Sequence, residues 1–73
     1  MKYFVAISSQ DFEKKFENAV MKGIIKDCIE LRHRGFIVYF RFKSRKCADF
    51  ASLLFFSIDV CCFTSSRLDV VLN

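Results

Sequence analysis

Residues 30–46, ELRHRGFIVYFRFKSRK, decide the fold because they join a glycine turn to the clearest strand of the chain. The run 36–43 consists mainly of β-branched and aromatic residues, which favour strands. Gly35, just before it, can adopt the positive φ that a tight turn requires. The stretch therefore predicts a β-hairpin with strands over about 25–32 and 36–43 and a turn at 33–35.

The segment 25–31 has a second interpretation. It is also compatible with a helix that continues from the preceding residues, and the element order would then be βαβαβ. We favour the strand because Gly23 lies where a helix is expected to end and apolar residues alternate with charged ones towards the turn.

The residues before the hairpin predict one strand and one helix. The run 3–8 is rich in aromatic and β-branched residues, and Ser8 and Ser9 are favourable N-cap residues for a helix from there to about residue 22. The apolar residues of that helix would lie on one side, at spacings of four, seven and eight: Phe12, Phe16, Ala19 and Val20.

The residues after the hairpin predict a second helix and a short strand. Ser44 is a second N-cap candidate, and the run 60–63 predicts a strand. The run 68–72 predicts a short terminal strand or a packed tail. Apolar residues recur at helical spacing over about 45–57: Cys47, Phe50, Ala51, Leu54, Phe55 and Ile58.

The resulting order, strand–helix–strand–strand–helix–strand, is that of an α+β fold of the ferredoxin-like, split βαβ type. An antiparallel sheet would carry two helices on one face, with the first and third strands central and the other face open. The 73 residues suffice for one domain, with residues 64–73 as its extra strand or tail.

Strand parity assigns the residues of the third strand to two faces. Tyr39 and Arg41, with Ile37, are expected on the open face, beside Phe4 of the first strand. The opposite face is expected to pack against the helices through four large apolar residues: Phe36, Val38, Phe40 and Phe42.

Two short runs resemble the RNA-recognition motif. YFVAI (3–7) is similar to the first-strand motif of that family, and VYFRF (38–42) is similar to the third-strand motif. The chain departs from the family at Ile37, which replaces an aromatic residue, and we do not assign it to the family. The resemblance implies binding of single-stranded RNA or DNA on the open sheet, with Phe4 and Tyr39 stacking on bases.

The alternative for this sheet face is a second apolar layer. Phe4, Ile37 and Tyr39 would then be covered by a dimer partner or by the tail 68–72. This alternative requires no nucleic acid.

Positive charge is concentrated in the same stretch. The net charge is +4, and residues 32–46 hold six of the twelve basic residues and no acidic one. The stretch predicts a surface that meets phosphate, nucleic acid or acidic side chains. The basic residues at its two ends are Arg32 and Arg34 before the third strand, and Arg45 and Lys46 after it.

Arg45 and Lys46 fall in the first turn of the second helix. Their positive charge opposes the helix dipole there, at a cost of a few tenths of a kcal/mol each. An anion bound at this helix end is one explanation of the two residues, and solubility is the other.

The cysteines and the single histidine predict neither a metal site nor a cofactor. Cysteines at 28, 47, 61 and 62 include no CxxC pair, and we expect reduced, buried thiols in a cytoplasmic protein. The chain has no secretory signal and no apolar run long enough to span a bilayer, so no membrane partner is expected.

These features predict a binding protein rather than an enzyme. Two glycines cannot form a phosphate-cradling loop, and no nucleophile is predicted beside His33. We expect docking on a protein complex that handles nucleic acid, by analogy with small phage and mobile-element inhibitors of the anti-CRISPR type. Leu53 and Phe56, off the main apolar stripe of the second helix, are expected to contact a protein partner or a second copy in a homodimer.

Overall fold

Four strands and three helices make up residues 3–65, the part of the chain that the computed structural model describes. All paired strands are antiparallel, and the order across the sheet is β2-β3-β1-β4. The α+β class and the central positions of the first and third strands are confirmed. The elements are β1 (Tyr3–Ser8), α1 (Ser9–Lys14), α2 (Ala19–Asp27), β2 (Glu30–Arg34), β3 (Ile37–Phe42), α3 (Arg45–Ser57) and β4 (Phe63–Ser65).

The hairpin between β2 and β3 turns at Gly35 and Phe36, not at 33–35. Arg34 pairs with Ile37, and Gly35 has a φ of 59°. A positive φ at the first turn residue alone is the pattern of a type II′ turn, which favours glycine in that position. Phe36 therefore belongs to the turn and is 88% exposed, so the prediction that it packs in the core is wrong.

The single helix predicted over about 9–22 is two helices, because Asn18 starts a new one. Its side-chain Oδ1 accepts hydrogen bonds from the backbone N–H groups of Val20 and Met21, at 2.8 and 3.4 Å. Asparagine favours an N-cap over a helix interior because its side chain competes for backbone donors. Phe16 falls in the break between the helices and is exposed rather than part of an apolar stripe.

The new helix, α2, runs through Gly23 to Asp27, so Gly23 does not end a helix. The strand predicted over 25–32 begins only at Glu30. Glycine has a low helix propensity, but the burial of Met21 and Ile24, three residues apart on α2, outweighs it at Gly23.

The helix α3 has the predicted bounds and the predicted cap. Ser44 Oγ accepts a hydrogen bond from the Cys47 N–H at 3.2 Å, and Ser8 caps α1 in the same way through the Asp11 N–H at 3.1 Å. Phe50 departs from the predicted stripe and is exposed. The side of α3 that is fully buried is narrow and consists of Ala48, Ala51 and Phe55.

The helices pack on one face of the sheet and form the main core. Phe40 lies at its centre, with its ring centroid 5.2 Å from that of Phe55 and 6.1 Å from that of Phe12. The sheet residues of this core alternate along the central strands as parity requires: Val5, Ile7, Val38, Phe40 and Phe42.

The other sheet face is not open as predicted. Phe4, Ala6 and Tyr39 are buried there and form a second apolar cluster, with Ile37 packed against it. A strand that is apolar without alternation, as residues 3–7 are, is typical of burial on both faces. The tail over 68–72, one of the expected covers, lies outside the described residues.

The last described strand, β4, begins at Phe63 rather than at residue 60. Val60 is buried in the main core but precedes the strand, after Asp59 has ended α3 with a φ of 61°. Within residues 3–65, none of the helices has the length and apolar character needed to cross a bilayer.

Candidate interaction surfaces

The predicted stacking residues are in contact with each other inside the protein. The rings of Phe4 and Tyr39 meet edge to face, with centroids 5.6 Å apart and planes at 72°. Only 5% of Phe4 and 2% of Tyr39 is exposed. Both rings are packed, so the prediction that Phe4 and Tyr39 lie on an open sheet face is wrong.

The edge of this sheet face carries a charged network. The strand register places Glu30 opposite Arg41 and Arg32 opposite Tyr39. Glu30 Oε2 lies 3.1 Å from Nη2 of Arg32, and Glu30 Oε1 lies 3.3 Å from Nε of Arg41. One carboxylate therefore offsets two of the predicted binding cations.

The two arginines differ in their surroundings. The Glu30 carboxylate, and after it Tyr39, raises the pKa of the exposed Arg32 guanidinium, which stays charged. The Nε of Arg41 is buried, and the Glu30 carboxylate is not aligned to accept a hydrogen bond from it. Arg41 is thus partly buried and paired with Glu30, rather than freely exposed on an open face.

The two basic residues at the start of α3 differ in their ion pairing. Arg45 Nε lies 3.7 Å from Asp49 Oδ2, whereas Lys46 has no ion pair within residues 3–65. Arg34 and Lys43 have none in that range either. Among residues 3–65, two of the predicted site cations are therefore left without an ion pair, Arg34 and Lys46. They lie towards opposite ends of β3, roughly 20 Å apart at 3.3 Å per residue.

The hairpin turn presents an aromatic residue that the sequence interpretation placed in the core. The Phe36 carbonyl accepts a hydrogen bond of 2.8 Å from the Ser9 N–H, which ties the turn to the start of α1. The Phe36 side chain is exposed, as is Arg34 two residues earlier in the chain. Gly35 could have predicted this position, because a glycine that begins a two-residue turn makes the following residue, here Phe36, part of the turn. We call Arg34, Gly35 and Phe36 the hairpin tip.

The outer side of α3 is the second exposed apolar surface. Phe50, Leu53 and Phe56 follow one another at intervals of three residues and are 60%, 68% and 79% exposed. Leu53 and Phe56, for which the sequence predicts a protein contact, are thus both exposed. We call these three residues the α3 row.

A groove of about 270 Å³ lies beside the α3 row, between α2 and α3. Gly23 and Asp27 line it on α2, and Phe50 and Leu54 line it on α3. A Cβ added to Gly23 would meet no described atom within 4 Å, so the glycine is not required by packing against those atoms.

The side chains that could bind a metal ion or act as a nucleophile do not form a cluster within residues 3–65. Within residues 3–65, no group of three or more His, Cys, Asp and Glu side chains is placed to hold a metal ion. His33 lies in β2 rather than in the turn, with its ring centroid 6.5 Å from that of Phe12. Burial raises the pKa of the Cys28 and Cys62 thiols. None of the four cysteines is fully buried as expected, since Cys28, Cys47 and Cys62 are partly buried and Cys61 is exposed.

Comparison of the chain with protein families, curated proteins and solved structures finds no match in any of the three.

Proposed function

We propose that this chain is a small, non-enzymatic binding protein that docks on a protein complex handling nucleic acid. It would act in the cytoplasm as an inhibitor of the phage or mobile-element, anti-CRISPR-like type. We infer this class of target by analogy, from the small size of the chain, its basic charge and its lack of a catalytic motif. The observation that carries docking itself is the exposure of Phe36 in a fixed turn.

The hairpin tip has the composition of an interface anchor. Aromatic residues and arginine are enriched at interfaces, and a few such residues contribute most of the binding energy. Phe36 is 88% exposed, so it adds little to the core of its own protein. The hydrogen bond from Ser9 ties the turn to the start of α1, and a turn ordered in advance loses less entropy on binding.

The partner surface that fits this tip is an apolar pocket with a carboxylate or phosphate group beside it. Arg34 is exposed and has no ion pair within residues 3–65, so its guanidinium is available for a bidentate contact. Both kinds of anion are present on complexes that handle nucleic acid.

We also propose that the fold is a variant of the ferredoxin-like, split βαβ arrangement in which the first helix is divided into α1 and α2. The central positions of β1 and β3 support it, as do the helical connections on one sheet face. NMR contacts from β1 to both β3 and β4 are expected, and a β1 at the sheet edge would contradict the proposal.

The docking proposal is tested by recovering what binds the tagged protein, with and without nuclease treatment. A protein partner that survives nuclease is expected, and Phe36→Ala should weaken its binding by at least about tenfold, as anchor residues do. Ile29→Ala is the matched control, because Ile29 is also exposed but adjoins the opposite end of β2.

Two results would overturn docking through the hairpin tip. Equal binding by the wild type and Phe36→Ala would exclude the tip as the anchor. Recovery of nucleic acid alone, lost after nuclease treatment, would support the alternative function, direct binding of single-stranded RNA or DNA.

A further inference from the structure

The outer edge of β2 is free of other strands in the part of the chain that the structure describes. β2 lies at one end of the sheet, and among the described strands it pairs with β3 alone. Within residues 3–65, neither Leu31 nor His33 forms a backbone hydrogen bond outside that pairing. Such an edge offers a row of backbone donors and acceptors to another extended chain.

The hydrogen bonds of β3 decide which backbone groups of β2 point outwards. The Arg41 carbonyl accepts a hydrogen bond of 2.7 Å from the Ile29 N–H, just before β2. Arg41 and the other odd-numbered residues of β3 therefore direct their backbone groups towards β2, because these groups alternate in direction along an antiparallel strand. Their register partners are the even-numbered residues of β2. The odd-numbered residues, Leu31 and His33, thus direct their N–H and C=O groups away from the sheet.

The side chains of β2 make this edge positive on one face of the sheet. Arg32 and Arg34 lie on the same face as Arg41, because residues that are opposite each other in paired strands share a face. Glu30 supplies the one carboxylate of β2 and β3 on that face, and it lies 3.1 Å from Arg32 and 3.3 Å from Arg41. Arg34 has no ion pair within residues 3–65. The edge therefore attracts negative charge.

We propose that β2 binds an extended, acidic segment of the partner protein, which adds to the sheet as a further strand. The inference rests on the proposed docking function and names the part of the partner that is bound. Acidic residues at alternate positions of the segment lie opposite Arg32 and Arg34. The residues between them lie on the other face, where Leu31 packs against the main core and the His33 ring lies 6.5 Å from that of Phe12. Apolar side chains fit those positions.

Two other occupants match this edge less well. A second copy of β2 would bring like charge, because each copy contributes three arginines, at 32, 34 and 41, against Glu30 alone. Nucleic acid offers acceptors for the N–H groups of Leu31 and His33, but its phosphates would also face their carbonyl oxygens, which repel negative charge. A peptide strand supplies donors and acceptors in the alternation that the edge requires.

NMR titration of the full chain with a peptide in which glutamate and valine alternate tests the proposal. The backbone amide signals of Leu31 and His33 are expected to shift and to exchange more slowly with solvent, because both N–H groups become hydrogen-bonded. A peptide in which lysine and valine alternate is the control for charge. It should bind at least about tenfold more weakly, since its cations would face Arg32 and Arg34.

Variants at the edge separate backbone pairing from charge. His33→Pro removes one outward N–H and keeps the bonds between β2 and β3, because proline is tolerated where the N–H of an edge strand faces solvent. It should weaken binding of the acidic peptide by at least about tenfold, whereas His33→Ala, which keeps the N–H, should bind as the wild type does. Arg34→Glu should weaken the acidic peptide and strengthen the basic one, a result that does not depend on how well the proline variant folds.

Phe36→Ala distinguishes strand addition from docking through the hairpin tip, because it should bind the acidic peptide as the wild type does. Loss of the partner protein by Phe36→Ala, with no peptide bound by the wild type, would support the tip and overturn strand addition. Peptide binding, with no effect of Phe36→Ala on the partner, would do the reverse.

Three further results would overturn the strand-addition proposal. The first is the absence of shifts at Leu31 and His33 up to about millimolar peptide, where weak binding is detected. The second is equal binding of the acidic and basic peptides. The third is a single-stranded oligonucleotide that shifts the same two amide signals more strongly than the acidic peptide, which would assign the edge to nucleic acid.

Discussion

Phe4 and Tyr39 pack edge to face across the two central strands, and both rings are buried on the sheet face opposite the helices. The sheet thus has apolar residues on both sides, with the main core on one face and this smaller cluster on the other. Tyr39 was expected to stack on bases, but in the structure it packs against Phe4 and contributes to the stability of the fold. Four predictions test the structural account.

Tyr39→Ala should destabilise the protein strongly. Removal of a buried aromatic side chain costs about 3–5 kcal/mol, a large part of the stability of a domain this small. Urea unfolding followed by circular dichroism measures the loss. Phe36→Ala is the control, because Phe36 is exposed and should change the unfolding free energy by less than about 0.5 kcal/mol. Equal effects of the two changes would contradict the burial of Tyr39.

Asn18→Ala should destabilise α2. The change removes the oxygen that accepts the Val20 and Met21 N–H groups, and loss of an N-cap costs about 1 kcal/mol. Asn18→Asp is the matched variant, because it retains an acceptor oxygen at the cap and should remain near wild-type stability. If Asn18→Ala unfolds at the same urea concentration as the wild type, α1 and α2 are not separated by this cap.

Gly23→Ala should stabilise the protein. Gly23 lies inside α2, and a Cβ there meets no described atom within 4 Å. Alanine is favoured over glycine in a helix interior by about 1 kcal/mol, so the unfolding midpoint should rise. Gly35→Ala is the opposite case, since its φ of 59° strains any residue with a Cβ, and it should lower the midpoint.

Stability should fall as the pH rises into the alkaline range. Burial raises the pKa of Cys28 and Cys62 in the folded state, so the unfolded chain loses these protons at a lower pH than the folded chain does. The stabilisation is complete below the unfolded thiol pKa of about 8.5 and is lost as the pH rises through the folded value. Urea unfolding midpoints between about pH 7 and 10 measure the fall.

Cysteine variants assign this pH dependence to particular thiols. Replacing Cys28 and Cys62 together by Ala should flatten the alkaline fall, whereas replacing the exposed Cys61 should leave it as in the wild type. The same fall in all three proteins would place the titrating groups elsewhere.

N-cap residues, helical spacing and turn residues predicted several of the helices and strands. Ser44 as an N-cap and the helical spacing after it predicted α3 with its observed bounds, because a cap and a helix involve residues only three or four positions apart. The hairpin and its glycine turn were also predicted, although its first strand begins at Glu30, five residues later than predicted. Asn18 carried a comparable cap signal for α2, but the apolar stripe that continues past it suggested a single helix.

The α3 row was predicted in part. Leu53 and Phe56 fall off the stripe in the sequence and are exposed in the structure, whereas Phe50 belongs to the stripe by spacing and is exposed all the same. The spacing of residues in a helix defines its faces, but the width of the buried face depends on how closely α2 approaches.

The sequence by itself determined β1, α3, the antiparallel hairpin and the concentration of positive charge, because these depend on neighbouring residues or on composition alone. Only the tertiary structure decided that Tyr39 is buried, that Glu30 joins Arg32 and Arg41, and that Phe36 is exposed. Burial and ion pairing depend on segments that are distant in the chain and adjacent in space. A shift of one residue in a turn is enough to move a phenylalanine from the core into solvent.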